Sequence, residues 1–366
     1  MKRKFDILIA SNELKAEAFL SEIEGAHPLF VCAIGTTETA KIPGISAAGS
    51  NPQITDYTPP ADAELLLLGK CKCINGVPIT PSGIPTPALI TMSALRLANI
   101  PVLIANAGLK IKPQIPFLDL GGVPGKDMRT GHSVENTTEV LQRSIIAGKQ
   151  LANTTDYLVI GESIPGGTTT ALGVLSAIGV KAEGKVSSSM PDNPHFLKTN
   201  TVKLGLKAAG IKFGSLKDDP IKAISCLGDP MMPAFAGLVI GAASQVPVLM
   251  AGGTQMTAIL AVINVLNPEI LCNVAIGTTR WIIQDSSSDI RGIVAQISNV
   301  PVLAADLDFK SSKLSGLKAY ETGIVKEGVG AGGASIAAMA KLSGAITKNM
   351  LLREIEKNYE LLMTKR

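Results

Sequence analysis

Glu327 stands immediately before a glycine-rich turn and an apolar helical pattern, in IVKEGVGAGGASIAAMA. A carboxylate among apolar groups has its pKa raised, which suits a general base working near neutral pH. In an exposed turn the same residue would be an ordinary solvated glutamate. The segment also spells a formal G-x-G-x-x-G at Gly328, Gly330 and Gly333. The dinucleotide fingerprint requires a buried strand just before it. The charged AYETGIVKE does not supply one, so no nicotinamide-dinucleotide site is expected there.

A second segment, YLVIGESIPGGTTTALGVL, reads as a buried strand ending at Gly161-Glu162, a turn through Gly166-Gly167, and a helix opening at Thr168-Thr169. The free N–H groups and positive dipole at a helix start attract an anion, and glycines let the backbone come close. The spacing from Gly161 to Gly166 approaches that of a P-loop, but Gly167 occupies the lysine position that reaches β- and γ-phosphates. One phosphate fits better than a triphosphate. A plain strand–helix turn with a threonine cap is the simpler alternative.

Three further loops could contribute. Asp229, in KAISCLGDPMMPAF, is expected to end a strand and begin a helix, where an N-cap alone would explain an aspartate. Gly252-Gly253 closes VPVLMAGG with no side chain to block a flat ligand, or else forms a tight turn. Thr278 ends the strand-like VAIGTT. His27, His132 and His195 have no partner at metal or triad spacing. Cys71 and Cys73 form a C-x-C pair without a second ligand pair, so no metal site is expected. With five cysteines, several in apolar runs, reduced core thiols in a cytoplasmic protein are expected.

These loops need strands to carry them. Short, continuously apolar runs recur at Phe5–Ala10, Leu29–Gly35, Pro101–Gly108, Tyr157–Glu162, Lys222–Gly228, Val246–Gly253, Leu271–Thr279 and Val300–Asp308. Strands buried on both faces look like this. Helical patterns at Ala88–Asn99, Val134–Asn153, Thr168–Ile178, Met232–Ser244, Gln255–Leu266 and Ser288–Ile297 alternate with them. The pattern predicts an α/β fold: a mostly parallel, doubly wound sheet with helices on both faces and ligands at the strands' C-terminal ends. An α/β unit over 1–310 is expected, interrupted at 36–87 by a Pro-, Gly- and Thr-rich excursion too long for a simple connection. A helical subdomain, carrying the glutamate turn, is expected over 311–366.

The whole-chain arithmetic narrows the function classes. Of 366 residues, 46% are hydrophobic and 17% charged, which excludes a disordered chain. A net charge of +4 with 4% aromatics is weak for a nucleic-acid or membrane-surface protein. The uncharged stretch from Pro230 to Pro268 is cut by Gln245, Pro247, Gly252-Gly253 and Asn264 into pieces too short for a ~20-residue membrane span.

Taken in order, GTTETAKIPGISAAGSNPQITDYTPPADAELL, GESIPGGTTTALGVL, CLGDPMMPAFAGLVIGAA with PVLMAGGTQMTAILA, and KEGVGAGGASIAAMA resemble the nicotinate-nucleotide–dimethylbenzimidazole phosphoribosyltransferases. The likeness is closest to the branch found in archaea and cyanobacteria, and it runs from about Leu65 to the C-terminal helices. The resemblance implies a pentosyltransferase with a Rossmann-like sheet and a small helical domain, needing no cofactor and forming a homodimer. It would move the phosphoribosyl group of nicotinate mononucleotide to a benzimidazole-type base, releasing nicotinate and an α-ribazole phosphate for the lower ligand of cobamides. It makes Glu327 the general base and assigns Gly161, Glu162, Gly166, Gly167, Thr168 and Thr169, with Lys198, to the phosphate. The nicotinate and ribose side falls to Gly252 and Gly253, with Asp229 and Thr278 beside them. Two departures stand out. Gly167 replaces an Asn of the bacterial members, and KCKCINGVPITPSGIPTP aligns poorly with their base pocket, so the acceptor is less fixed than the donor. A transferase or nucleosidase acting on another base, or a non-catalytic nucleotide- or base-binding protein, would use the same scaffold.

Overall fold

The strands are continuously apolar because both faces are covered. In the strand Pro28–Gly35, Phe30, Cys32 and Ile34 enter one core while Val31 and Ala33 enter the other. The computed structural model describes residues 2–49, 53–80 and 82–363. Parts of the expected excursion (residues 50–52 and 81) and the last three residues lie outside the described residues. The sheet contains β1 (Arg3–Lys4), β2 (Ile7–Ser11), β3 (Pro28–Gly35), β4 (Val102–Gly108), β5 (Leu118–Asp119), β6 (Tyr157–Ser163), β7 (Val248–Ala251), β8 (Val274–Thr279) and β9 (Val302–Ala305). Their order is β1-β2-β9-β8-β7-β6-β3-β4-β5. All pairings from β9 to β5 are parallel, and β2 joins β9 antiparallel.

The helices are α1 (Glu13–Ile23), α2 (Thr58–Leu68), α3 (Ala88–Leu97), α4 (Thr137–Ala152), α5 (Gly167–Ile178), α6 (His195–Ala209) and α7 (Pro220–Leu227). They continue with α8 (Met231–Ala242), α9 (Gln255–Leu266), α10 (Arg280–Gln284), α11 (Ile290–Ile297), α12 (Ser315–Lys318), α13 (Ala331–Lys341) and α14 (Lys348–Met363). Helices α1, α2, α3, α13 and α14 bury their apolar residues on one face of the sheet. The opposite face is covered by α4, α5, α7, α8, α9 and α11. None of the described helices is long and apolar enough to cross a membrane.

The expected strand at Lys222–Gly228 is instead α7. Asp219 accepts the Lys222 N–H at 3.0 Å and Pro220 occupies the first turn. An Asp cap and a Pro at the start are strong helix-initiating signals. The buried positions Pro220, Ala223, Ile224 and Leu227 follow helical spacing, which a run this short does not distinguish from strand by hydrophobicity alone. Asp229 therefore links two helices rather than ending a strand.

The chain builds outward from β3 twice. It first runs through β4 and β5 on one side, then returns to the other side with β6 and continues to β9. The loops after β3 and β6 consequently diverge, opening a crevice at the strands' C-terminal ends. Open α/β sheets bind ligands at such a reversal.

Candidate active site

That crevice is occupied by a cleft whose empty space, open mouth included, is about 920 Å³. Most of its wall comes from three places far apart in sequence: the excursion after β3, the β6–α5 turn, and the turn before α13, with residues 187–189, Gly253, Gln255 and Ile282 completing it.

Glycines bring the last two together. A Cβ on Gly161 would lie 2.8 Å from the Phe30 ring and 3.1 Å from the Gly330 Cα, so β6 and the start of α13 touch backbone to backbone. Cβ atoms on Gly332 and Gly333 would overlap the backbone of Thr278 and the side chain of Ala251. The glycine run thus lets α13 lie directly on the sheet. Gly161 does not itself line the cleft.

Glu327 is carried into the cleft by this close approach. Its carboxylate accepts the Gly328 N–H at 3.1 Å and the Gly332 N–H at 3.2 and 3.3 Å, with the Thr278 hydroxyl donating at 3.5 Å. Burial raises its pKa to about 7, against the lowering effect of those backbone donors. Val325 and Val329, one on each side, have φ of 54° and both line the cleft. Left-handed backbone at a β-branched residue costs ~1–3 kcal/mol and collects at functional sites.

At the β6–α5 turn, Gly166 has φ 80° and a Cβ there would sit 3.0 Å from the Ala40 Cα, so only glycine fits. The N–H groups of Gly167 and Thr169 close the turn onto the carbonyls of Ile164 and Gly166. Gly166, Gly167 and Thr168 line the cleft; Thr169 is buried behind them, its hydroxyl without a partner among the described residues. Lys198, on α6, is fully buried and donates to Thr168 Oγ1 at 2.8 Å and to the Ser187 carbonyl. Burial and the nearby Lys326 lower its pKa to about 7. Lys326 itself is held by Asp285 at 2.7 Å.

Glu162 lines the cleft one residue before the end of β6. It accepts the Gln255 side-chain amide at 2.5 Å and the Ile164 N–H at 2.9 Å. Burial pushes its pKa well above the usual carboxylate range, reinforced by the charges of Asp229 and Glu327. Asp229 lies behind the turn: its carboxylate takes the Thr170 hydroxyl at 2.6 Å and the Met231 N–H at 3.0 Å, pinning α5 to α8. Gly253 lines the cleft, whereas Gly252 is packed against Met256. Thr278 reaches the site through Glu327.

Sequence reasoning missed Asp62, Thr58, Thr86, Gln255 and the serines at 187–189, all in the cleft wall. No sequence signal singled out Asp62: α2 carries two acids, Asp62 and Glu64, and both lie among its nine buried residues. Among the described residues, no group of three or more His, Cys, Asp or Glu is arranged to hold a metal ion.

Residues 101–280 match the family model DBI_PRT, described as phosphoribosyltransferase. The UPF0284 protein of Sulfolobus acidocaldarius is 50% identical over 351 residues, covering 94% of this chain and 99% of the relative. That of Methanothermobacter thermautotrophicus is 45% identical, covering 88% of this chain and 90% of the relative. Among solved structures, CobT from Thermus thermophilus superposes with a TM-score of 0.60 at 16% identity, covering 94% of this chain and 92% of that one. A structure of the nicotinate-nucleotide–dimethylbenzimidazole phosphoribosyltransferase from the same organism gives 0.55 at 16% identity, covering 91% and 92%. At such identity these two share the fold. The chain belongs to the UPF0284 family.

Proposed function

We propose that this protein transfers the phosphoribosyl group of nicotinate mononucleotide to a nitrogen of a benzimidazole-type base, releasing nicotinate. The observation that carries the reading is one cleft holding both ends of that chemistry. A carboxylate with its pKa raised to about 7 faces a glycine turn with a buried lysine behind it.

Thr168 would bind the donor's phosphate, with Lys198 donating to the threonine's hydroxyl oxygen from behind, and a phosphate dianion there would keep the lysine charged. The pyridinium of the donor leaves as nicotinate when the C1′–N bond breaks, its electron pair returning to the ring nitrogen, so no acid is needed. The acceptor's unprotonated ring nitrogen forms the new bond at C1′ from the opposite face. Its other ring nitrogen then loses its proton to Glu327, which is ionised often enough near pH 7 and strong enough to accept it. The cleft holds both partners at contact distance and replaces solvent around them, which can contribute several kcal/mol. Gln255 and the β6–α5 turn fix Glu162 beside the same space.

The test is nicotinate release from nicotinate mononucleotide, assayed with and without azole acceptors. Release that requires an azole supports the transferase; azole-independent release identifies a nucleosidase; tight binding without release identifies a binding protein. A homodimer belongs to the same reading and is checked by light scattering.

A further inference from the structure

Asp62 is 2% exposed, yet it lines the cleft. Its two carboxyl oxygens accept the hydroxyls of Thr86 at 2.7 Å and Ser163 at 2.8 Å. The segment bearing Thr86 also braces the glutamate turn. Pro87 packs on Gly328, the Tyr320 hydroxyl donates to the Pro85 carbonyl at 2.9 Å, and Thr91 donates to the Val329 carbonyl at 2.9 Å. Tyr320 feels both acids: its pKa is pushed up first by burial, then by Asp62 and Glu327. Asp62 therefore belongs to the wall beside the proposed base, while Lys198 stands behind the β6–α5 turn. One helical turn before it on α2, Thr58 also lines the cleft, and its hydroxyl is buried without a partner among the described residues.

We infer that Asp62, with Thr58, selects an acceptor whose azole is fused to a ring bearing a hydrogen-bond donor, an amino or hydroxyl group. This rests on the transferase reading above. Each carboxylate oxygen has two lone pairs, and the observed bonds use one on each. A donor on the acceptor's far ring can take one of those remaining, and where that donor is a hydroxyl the Thr58 hydroxyl can donate to its oxygen. A methyl-bearing ring would cover both groups and satisfy neither. Sites with buried polar groups reject analogues lacking the matching group far more strongly than apolar pockets reject an extra one.

Nicotinate release is to be measured with hydroxybenzimidazole, adenine and dimethylbenzimidazole, for wild type, Asp62→Asn and Asp62→Val. Wild type should prefer the better donor-bearing acceptor over dimethylbenzimidazole by ~10²-fold in kcat/KM. Asp62→Val should bring the ratio to within a few-fold of one. Asp62→Asn can keep a bond to Thr86 or Ser163 and preserves shape, but turns a donor toward a donor, and should lose ~10-fold of the preference. Should the valine variant not fold, the asparagine variant decides alone; nicotinate mononucleotide titration and melting temperature report its integrity. A wild-type enzyme that prefers the dimethyl base or shows no preference, or a ratio that Asp62→Asn leaves unchanged, overturns the inference and leaves the transferase standing. No release with any acceptor overturns the transferase reading and this inference with it.

Discussion

Replacing Glu327 with Gln separates catalysis from architecture at the centre of the cleft. The carboxylate is bound by the N–H groups of Gly328 and Gly332 and by the Thr278 hydroxyl. The amide keeps the volume. Its oxygen can face the two N–H groups and its NH₂ can donate to Thr278, so the turn should keep its shape. What the amide lacks is a site for the acceptor's proton. General-base catalysis contributes ~10²–10⁴-fold, or roughly 3–5 kcal/mol of barrier, so kcat should fall by that factor while the donor KM changes little. The wild-type rate should rise with pH through about 7 as Glu327 ionises, and that limb should vanish in the variant. Stability should move the other way. A folded-state pKa raised from 4.5 to about 7 means that ionising Glu327 costs the fold on the order of 3 kcal/mol. That cost is absent below the unfolded-state pKa and complete above the folded-state one. Glu327→Gln should therefore melt at a higher temperature than wild type at pH 8, with the gap closing toward pH 4.5. Steady-state nicotinate release and calorimetric melting at the two pH values check both arms. A variant of near wild-type rate would refute the base assignment, since a carboxylate that only caps α13 has no proton to take.

The remaining expectations follow from neighbouring residues. Gly166→Val places a branched side chain at φ 80° against Ala40 and should raise the donor KM by ~10-fold or more while costing the fold ~1–3 kcal/mol, read by kinetics and melting. Lys198→Met should weaken nicotinate mononucleotide binding by ~10–100-fold, consistent with losing the charged hydrogen bond that holds Thr168 toward the phosphate. With burial lowering its pKa to about 7, free-enzyme affinity for the donor should fall in wild type as pH rises past 7, but not in the variant; calorimetric titration decides. Gly332→Ala forces a methyl into the Thr278 backbone, and the resulting shift of α13 should lower stability by ~1–3 kcal/mol or more and displace Glu327. An unchanged melting temperature would show that α13 does not need that close contact.

Local chemistry in the sequence was enough to predict the parallel architecture and to single out two loops that the structure places at the cleft. Runs such as LFVCAIG and YLVIGE are apolar at nearly every position because both faces of their strands are covered, and that is a property of the residues themselves. The Ser163–Gly167 turn and the glutamate before Gly328 are contiguous, so their chemistry could be read without knowing the fold. Lys222–Gly228 could not be read correctly: so short an apolar-rich run fits either period, and the decision lay in the Asp219-Pro220 start signal and in packing against α5 and α8. Tertiary structure alone assigned the glycines of Gly328–Gly333, since whether a missing Cβ serves a ligand or a neighbouring strand depends on what the fold places against it. It alone gathered Asp62, Glu162 and Glu327 around one cleft, because strands β3 and β6, far apart in the chain, become neighbours only when the sheet reverses its order. The raised pKa values of these acids have the same origin. Desolvation is set by walls that distant segments provide, so three carboxylates with ordinary-looking neighbours in sequence have their pKa values raised only once the chain has folded around them.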